Sequence, residues 1–269
     1  MDASDRQQRL AALRDTIANI ERKPALANAA VRHTVGAGQF PVLGPGMVQE
    51  IFTDEHRNCG ASLGFALGLG QQLLGGPRQV LVYLQLAGES QELGVPYGAG
   101  LLSFGLDPAQ LILVRPKDMV ELLWAAEEAL ACRGVAAVVA EIGGQPKILD
   151  FTASRRLSLR AQASKTSIFL LRYGTGREAS AAQFRWHIGG ARSGEMPYDP
   201  RAPGETRWRV VREKGALAQR EQQEWILGWS ENGFYIVDTA ADHAPERRTG
   251  TTLPSAPSPQ LGDRLRQTA

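Results

Sequence analysis

Residues 47–74 have the layout of a phosphate-binding loop and little of its chemistry. Such a loop joins a strand to a helix and turns backbone N–H groups onto the anion through glycines. It also needs a lysine to reach the outer phosphates and a Ser or Thr to hold magnesium. Met47-Val48-Gln49-Glu50-Ile51-Phe52 reads as a buried strand and residues 61–74 as a helix. Between them runs Thr53-Asp54-Glu55-His56-Arg57-Asn58-Cys59-Gly60-Ala61-Ser62. Only its end fits the pattern: Gly60, then Ala61 where the lysine belongs, then Ser62. Asp54 and Glu55 add negative charge where phosphate would sit. The remnant pocket is therefore expected to hold no cofactor and to catalyse nothing, with weak nucleotide binding left open.

Glu141 follows the apolar run 135–140, where an acid could reach the shell of a nucleotide-bound magnesium. Without the lysine and the glycine cradle it is a fragment of that site. The other reading is a strand-end glutamate that meets nearby backbone N–H groups. Arg155, Arg156 and Arg160 lie along a predicted helix over 152–164, with Arg156 and Arg160 one turn apart on one face. A solvated face is the default there; an acidic partner or DNA is the alternative. Trp186, Trp208, Trp225 and Trp229 are interleaved with arginines late in the chain. That mixture can bind nucleic acid, but Trp on alternating strands belongs more often to a core whose Arg side faces water.

The elements that must position these groups follow from composition and period. The 269 residues suit one medium α/β domain with short additions. A net charge of +2 argues neither for nor against nucleic acid. Cys59 and Cys132 read as two reduced thiols of a cytoplasmic protein, and the four histidines are too scattered to form a metal site. The start of the chain is polar, without a signal-peptide core, and no apolar run approaches the roughly 18 residues that span a bilayer.

Leu10, Leu13, Ile17 and Ile20 form one apolar stripe on a predicted helix over 5–22, which Pro24 ends. A helix this short is marginal alone, so it must dock on its own domain or on another subunit. Gly- and Pro-rich 35–45 forms a loop. Apolar runs at 80–86, 111–114, 135–140 and 167–171 read as strands. Between them lie predicted helices over 97–104, 118–131 and 152–164, the second placing Val120, Leu123, Trp124, Glu127 and Leu130 on the sheet. Strands alternating with helices predict a doubly wound, mostly parallel sheet. Residues 184–188, 206–211, 224–229 and 233–237 alternate at period two and read as antiparallel strands extending one edge. The Pro-, Ser-, Thr- and Arg-rich end is expected to be disordered. The predicted organisation is thus a docking helix (1–24), a core (35–241) and a tail (242–269).

Several segments, in order, resemble a RecA-fold protein. Gly36-Ala37-Gly38 and Gly46-Met47-Val48-Gln49-Glu50-Ile51-Phe52 resemble the approach to its phosphate loop. Phe104-Gly105-Leu106-Asp107-Pro108-Ala109-Gln110-Leu111-Ile112-Leu113 resembles a helix leading into the next strand, and 205–214 its late hairpin. A narrower family is closer. Tyr97-Gly98-Ala99-Gly100-Leu101-Leu102-Ser103-Phe104-Gly105-Leu106-Asp107-Pro108, Leu123-Trp124-Ala125-Ala126-Glu127-Glu128-Ala129-Leu130, Ser154-Arg155-Arg156-Leu157 and Arg207-Trp208-Arg209-Val210 resemble the ImuA family.

The resemblance implies a RecA-like α/β fold and an accessory role in SOS mutagenesis and translesion DNA synthesis. The implied partners are ImuB (an inactive Y-family polymerase homologue), RecA and an error-prone DnaE-type polymerase. It also implies that 143–147 and 172–178 stand where RecA's two loops grip single-stranded DNA. Arg172, Tyr173 and Arg177 are then the candidate contacts, able to meet phosphate and stack a base. Run 80–85 has no acid at the place of RecA's catalytic glutamate, and Glu89 comes late. Two other readings stay open: an ATPase completed by DNA or a partner through an altered phosphate loop, and a SulA-type cell-division inhibitor.

Overall fold

The computed structural model describes residues 40, 43–196, 198–215, 224–230 and 233–237. The chain divides into two compact units, Met1–Val237 and Asp238–Ala269. The second unit lies outside the described residues, as do Leu10, Leu13, Ile17 and Ile20 of the predicted docking helix.

The described residues form eleven strands: β1 (Val48–Thr53), β2 (Val80–Leu84), β3 (Leu111–Val114), β4 (Val135–Ile142), β5 (Ser167–Tyr173), β6 (Phe184–Ala191), β7 (Glu195–Met196), β8 (Asp199–Pro203), β9 (Arg207–Lys214), β10 (Glu224–Ser230) and β11 (Gly233–Ile236). Nine of them make one sheet in the order β11-β10-β9-β6-β1-β5-β4-β2-β3, while β7 and β8 form a separate ribbon. This mixed, mostly parallel sheet is the doubly wound α/β architecture that the sequence led us to expect. One direction differs from expectation. β6 runs parallel to β1, and the antiparallel extension begins only at β9. Alternation at period two reports which face a side chain takes, and it is silent about strand direction.

β4 is buried along its whole length, as its unbroken Ala and Val run demands of a strand covered on both faces. Ala137 and Val139 pack on one side with Leu81, Phe169 and Trp186. Val138 and Ala140 pack on the other with Leu122, Leu157 and Ile168. The first side is covered by α1 (Cys59–Gln71). Two short helices, α2 (Ser90–Leu93) and α3 (Gly98–Ser103), precede β3. The second side is covered by α4 (Met119–Ala131) and α5 (Phe151–Ser164). Both of the latter are started by an aspartate side chain that accepts a backbone N–H, Asp118 from Glu121 at 2.9 Å and Asp150 from Ala153 at 2.7 Å.

α1 carries glycines at 64 and 68, which cost a helix roughly 1 kcal/mol each relative to alanine. The reason is visible across the interface. A Cβ on Gly68 would lie 2.6 Å from the Phe234 ring and 2.8 Å from Trp229. One turn earlier, a Cβ on Gly64 would press on Phe104 and Trp208. The glycines let the aromatics of the antiparallel extension reach the helix. Trp186, Trp208 and Trp225 are accordingly core side chains. On α4 the expected apolar face shifts. Leu122, Leu123, Ala126, Glu127 and Leu130 face inward, whereas Val120 and Trp124 are exposed. Trp124 is two residues, more than half a turn, away from Leu122.

Candidate functional site

At the carboxyl ends of the parallel strands, β1 gives way to a bend at Asp54 and Glu55, a 3-10 turn over His56–Asn58, and α1. Gly60 needs no glycine, because a Cβ there would meet nothing within 4 Å. The Ala61 carbonyl accepts the Trp208 indole N–H at 2.9 Å. Ser62 is fully buried and, among the described residues, its Oγ has no hydrogen-bond partner.

The centre of the site is Glu141, which lies inside β4 and is buried. Its Oε2 accepts from the Tyr83 hydroxyl at 2.5 Å and from the Gln85 amide at 2.7 Å. Its Oε1 accepts from the Tyr173 hydroxyl. Glu141 thus meets side-chain donors from β2, the residue after it, and β5, which replaces the expectation of backbone N–H contacts. Burial first, and then the Glu141 charge, push both tyrosine hydroxyls well above their ordinary value. Both therefore stay protonated and donate.

Glu89 closes this ring of groups. Its carboxylate lies against Gly143, where an added Cβ would fall 1.9 Å from Oε1. Burial first, and the neighbouring Glu141 charge second, raise its pKa. Its Oε2 is buried without a partner. His56 stands over Tyr173 with ring centroids 5.4 Å apart. Among the described residues, no three His, Cys, Asp or Glu side chains converge as a metal site.

The candidate DNA contacts take other roles. Arg172 is only 3% exposed, against Glu50 at 3.6 Å and Glu178 at 3.2 Å, so it is not presented to a phosphate. Tyr173 is committed to Glu141 through its hydroxyl and is half-buried. Arg177 pairs with Asp54 and Glu213, both at 2.9 Å, and lies 4.1 Å over the Phe52 ring. Arg185 joins Glu50 at 2.7 Å, and His187 reaches Asp54 at 3.1 Å. The two candidate loops also interlock, since a Cβ on Gly176 would collide with the Gln145 amide. Of the arginines on α5, Arg155 is exposed, while Arg156 and Arg160 both bridge to Glu127 on α4.

Tyr83 and Gln85 escaped the sequence reading, although a signal was there. Leu81, Tyr83, Val139 and Leu171 share one core face. Continuing at period two to the strand ends puts Gln85, Glu141 and Tyr173 on that face together.

No protein-family model matches the chain. Two curated relatives do, both described as "Protein ImuA" and both from Caulobacter vibrioides, strains NA1000 / CB15N and ATCC 19089 / CB 15. Each is 36% identical over 162 residues, covering 55% of this chain. Over that stretch the chain is similar to ImuA proteins. It spans 64% of the length of those ImuA relatives. Among solved structures it is similar to "Crystal structure of the RadB recombinase" at 16% identity and a TM-score of 0.48, covering 72% of this chain and 92% of that one. Among the described residues of this chain, no helix is long and apolar enough to cross a membrane.

Proposed function

We propose that this chain is an ImuA-family protein and a catalytically inert RecA-like adaptor of error-prone translesion DNA synthesis, acting through protein partners. One observation carries the inert part. The strand-end apex gathers Glu89 and Glu141 with the neutral donors Tyr83, Gln85 and Tyr173, and alanine stands in the lysine's place at 61. A transferring phosphoryl needs positive charge around it, and a single lost electrostatic group commonly costs about 3–4 kcal/mol of transition-state stabilisation. The partners are proposed from the family likeness: an ImuB-like protein, RecA and a DnaE-type polymerase.

Steady-state ATP turnover, measured with and without single-stranded DNA, tests the reading. Background turnover in both conditions is the expected result. Turnover abolished by Ser62→Ala would instead establish an ATPase with an altered phosphate loop. Pull-down of the full chain with ImuB or RecA, with and without Leu13→Asp and Ile17→Asp, tests the proposed docking helix. Undiminished binding by that variant removes the helix from the proposal.

A further inference from the structure

The outer surface of the α4–α5 pair combines features that the sheet does not use. Val120 and Trp124, one turn apart on α4, are 61% and 65% exposed. Tryptophan left in water this way is the residue type most enriched at the energetic centres of protein contacts. Three residues beyond Trp124, Glu127 is nearly buried and receives both Arg156 and Arg160 from α5. The two ion pairs pin the helices side by side, so the indole lies one turn from the bridge.

Both arginines reach Glu127 through Nε. Among the described residues, their Nη nitrogens make no hydrogen bond, and the two side chains remain 56% and 45% exposed. Two guanidiniums are thus tethered from below by one carboxylate and present the rest of their donors outward. That arrangement suits the planar, two-oxygen geometry of another carboxylate. Leu159, one turn along α5 from Arg156, is 53% exposed and supplies an apolar flank.

We propose that this face is a docking surface for an acidic segment of another protein, whose carboxylates pair with Arg156 and Arg160 while an apolar side chain packs on Trp124. The charge pattern selects this partner over a nucleic acid. On α4, Glu121 and the exposed Glu128 flank Trp124, and among the described residues only Glu121 has a cation beside it, Lys117 at 3.5 Å. A continuous phosphate chain crossing the indole would meet these acids. A peptide can place isolated carboxylates on the arginine pair and leave the acidic rim alone. The inference rests on α4 and α5 only and stands independently of what the nucleotide apex does.

Selection of random short peptides on the full-length protein provides the test. The enriched sequences are expected to combine acidic residues with an aromatic or leucine side chain. Their affinity should fall about tenfold or more with Trp124→Ala, the loss typical of a central contact residue. It should fall similarly in the triple variant Glu127→Gln/Arg156→Gln/Arg160→Gln, which removes the arginines without leaving a buried carboxylate unpaired. Circular dichroism checks the fold of each variant. Enriched peptides without acids, or equal binding to the variants, overturns the proposal. So does single-stranded DNA that binds with the same sensitivity to Trp124→Ala. A dimer in solution that Trp124→Ala dissociates would assign the face to a second copy and likewise overturn it.

Discussion

Two glutamates are buried in the same parallel sheet and solved in opposite ways. Glu50 in β1 is met by the guanidiniums of Arg172 and Arg185 and by the Ser180 hydroxyl. Among the described residues, Glu141 in β4 is met only by two phenols and an amide. The first arrangement answers charge with charge, and Arg177 adds a further cation over the intervening Phe52 ring. The second satisfies the lone pairs and leaves the negative charge uncompensated, with Glu89 held nearby at a raised pKa. Hydrogen bonding and charge balance are separate requirements of a buried ion. The apex meets the first without the second, and an anionic ligand such as a nucleotide's phosphates would enter an already negative place.

The largest effect should come from breaking the charge-balanced site. Glu50→Ala strands Arg172, which is only 3% exposed. Removing one partner of a buried pair typically costs about 3–5 kcal/mol. Denaturant unfolding should show a loss of that size, and a loss below about 1 kcal/mol would mean that Glu178 and solvent suffice for Arg172. The neutral-donor site should respond less. Tyr83→Phe removes one of the three donors to Glu141. Bonds to a charged group are worth about 1.5–3 kcal/mol. A cost equal to that of Glu50→Ala would erase the distinction between the sites.

Alkaline pH separates them further. Tyr83 and Tyr173 have pKa values raised by burial first and by Glu141 next. A group whose folded pKa lies above its unfolded one contributes stability that is fully present below the unfolded value, about 10 for tyrosine. That contribution is lost as pH rises past 10. Each tyrosine should add about 1.4 kcal/mol per pH unit to the decline there. The double variant Tyr83→Phe/Tyr173→Phe should flatten the profile above pH 10, whereas Glu50→Ala should leave its slope unchanged.

The contrast was only half legible in the sequence. Glu141 stood out because an acid at the end of an all-apolar run is conspicuous, and its partners follow from period two. Arg172 was misread because the predicted fifth strand stopped at 171. β5 in fact continues to Tyr173 and carries Arg172 into the sheet beside Glu50. Glu50 gave no warning, since it sits in a run that reads as buried strand and its arginines arrive from more than a hundred residues away. The parallel order and the helices were legible because element length and the alternation of strands with helices agree. The exposure of Trp124 was not, because an apolar residue at helical spacing does not reveal how wide a stripe the sheet can cover.

The smallest expected effect is also the sharpest test of the apex. Glu89→Gln keeps the size and an oxygen for the Gly143 N–H while removing a charge that burial and Glu141 both oppose. The pKa of Glu89 is raised in the folded state, so its contribution is fully present below the unfolded value, about 4.3. It is lost as pH rises through the folded value, and at pH 7 the wild-type chain therefore carries a penalty. The variant should be more stable at pH 7, by no more than about 1 kcal/mol once solvent screening of this part-exposed group is allowed for. That advantage should vanish near pH 4, where both side chains are neutral. Thermal unfolding at the two pH values measures it. If Glu89→Gln lowers stability at pH 7, the Glu89 charge is being held by a cation, His56 being the nearest candidate. The apex would then be charge-balanced like the Glu50 site, and the electrostatic case against a bound nucleotide would fail.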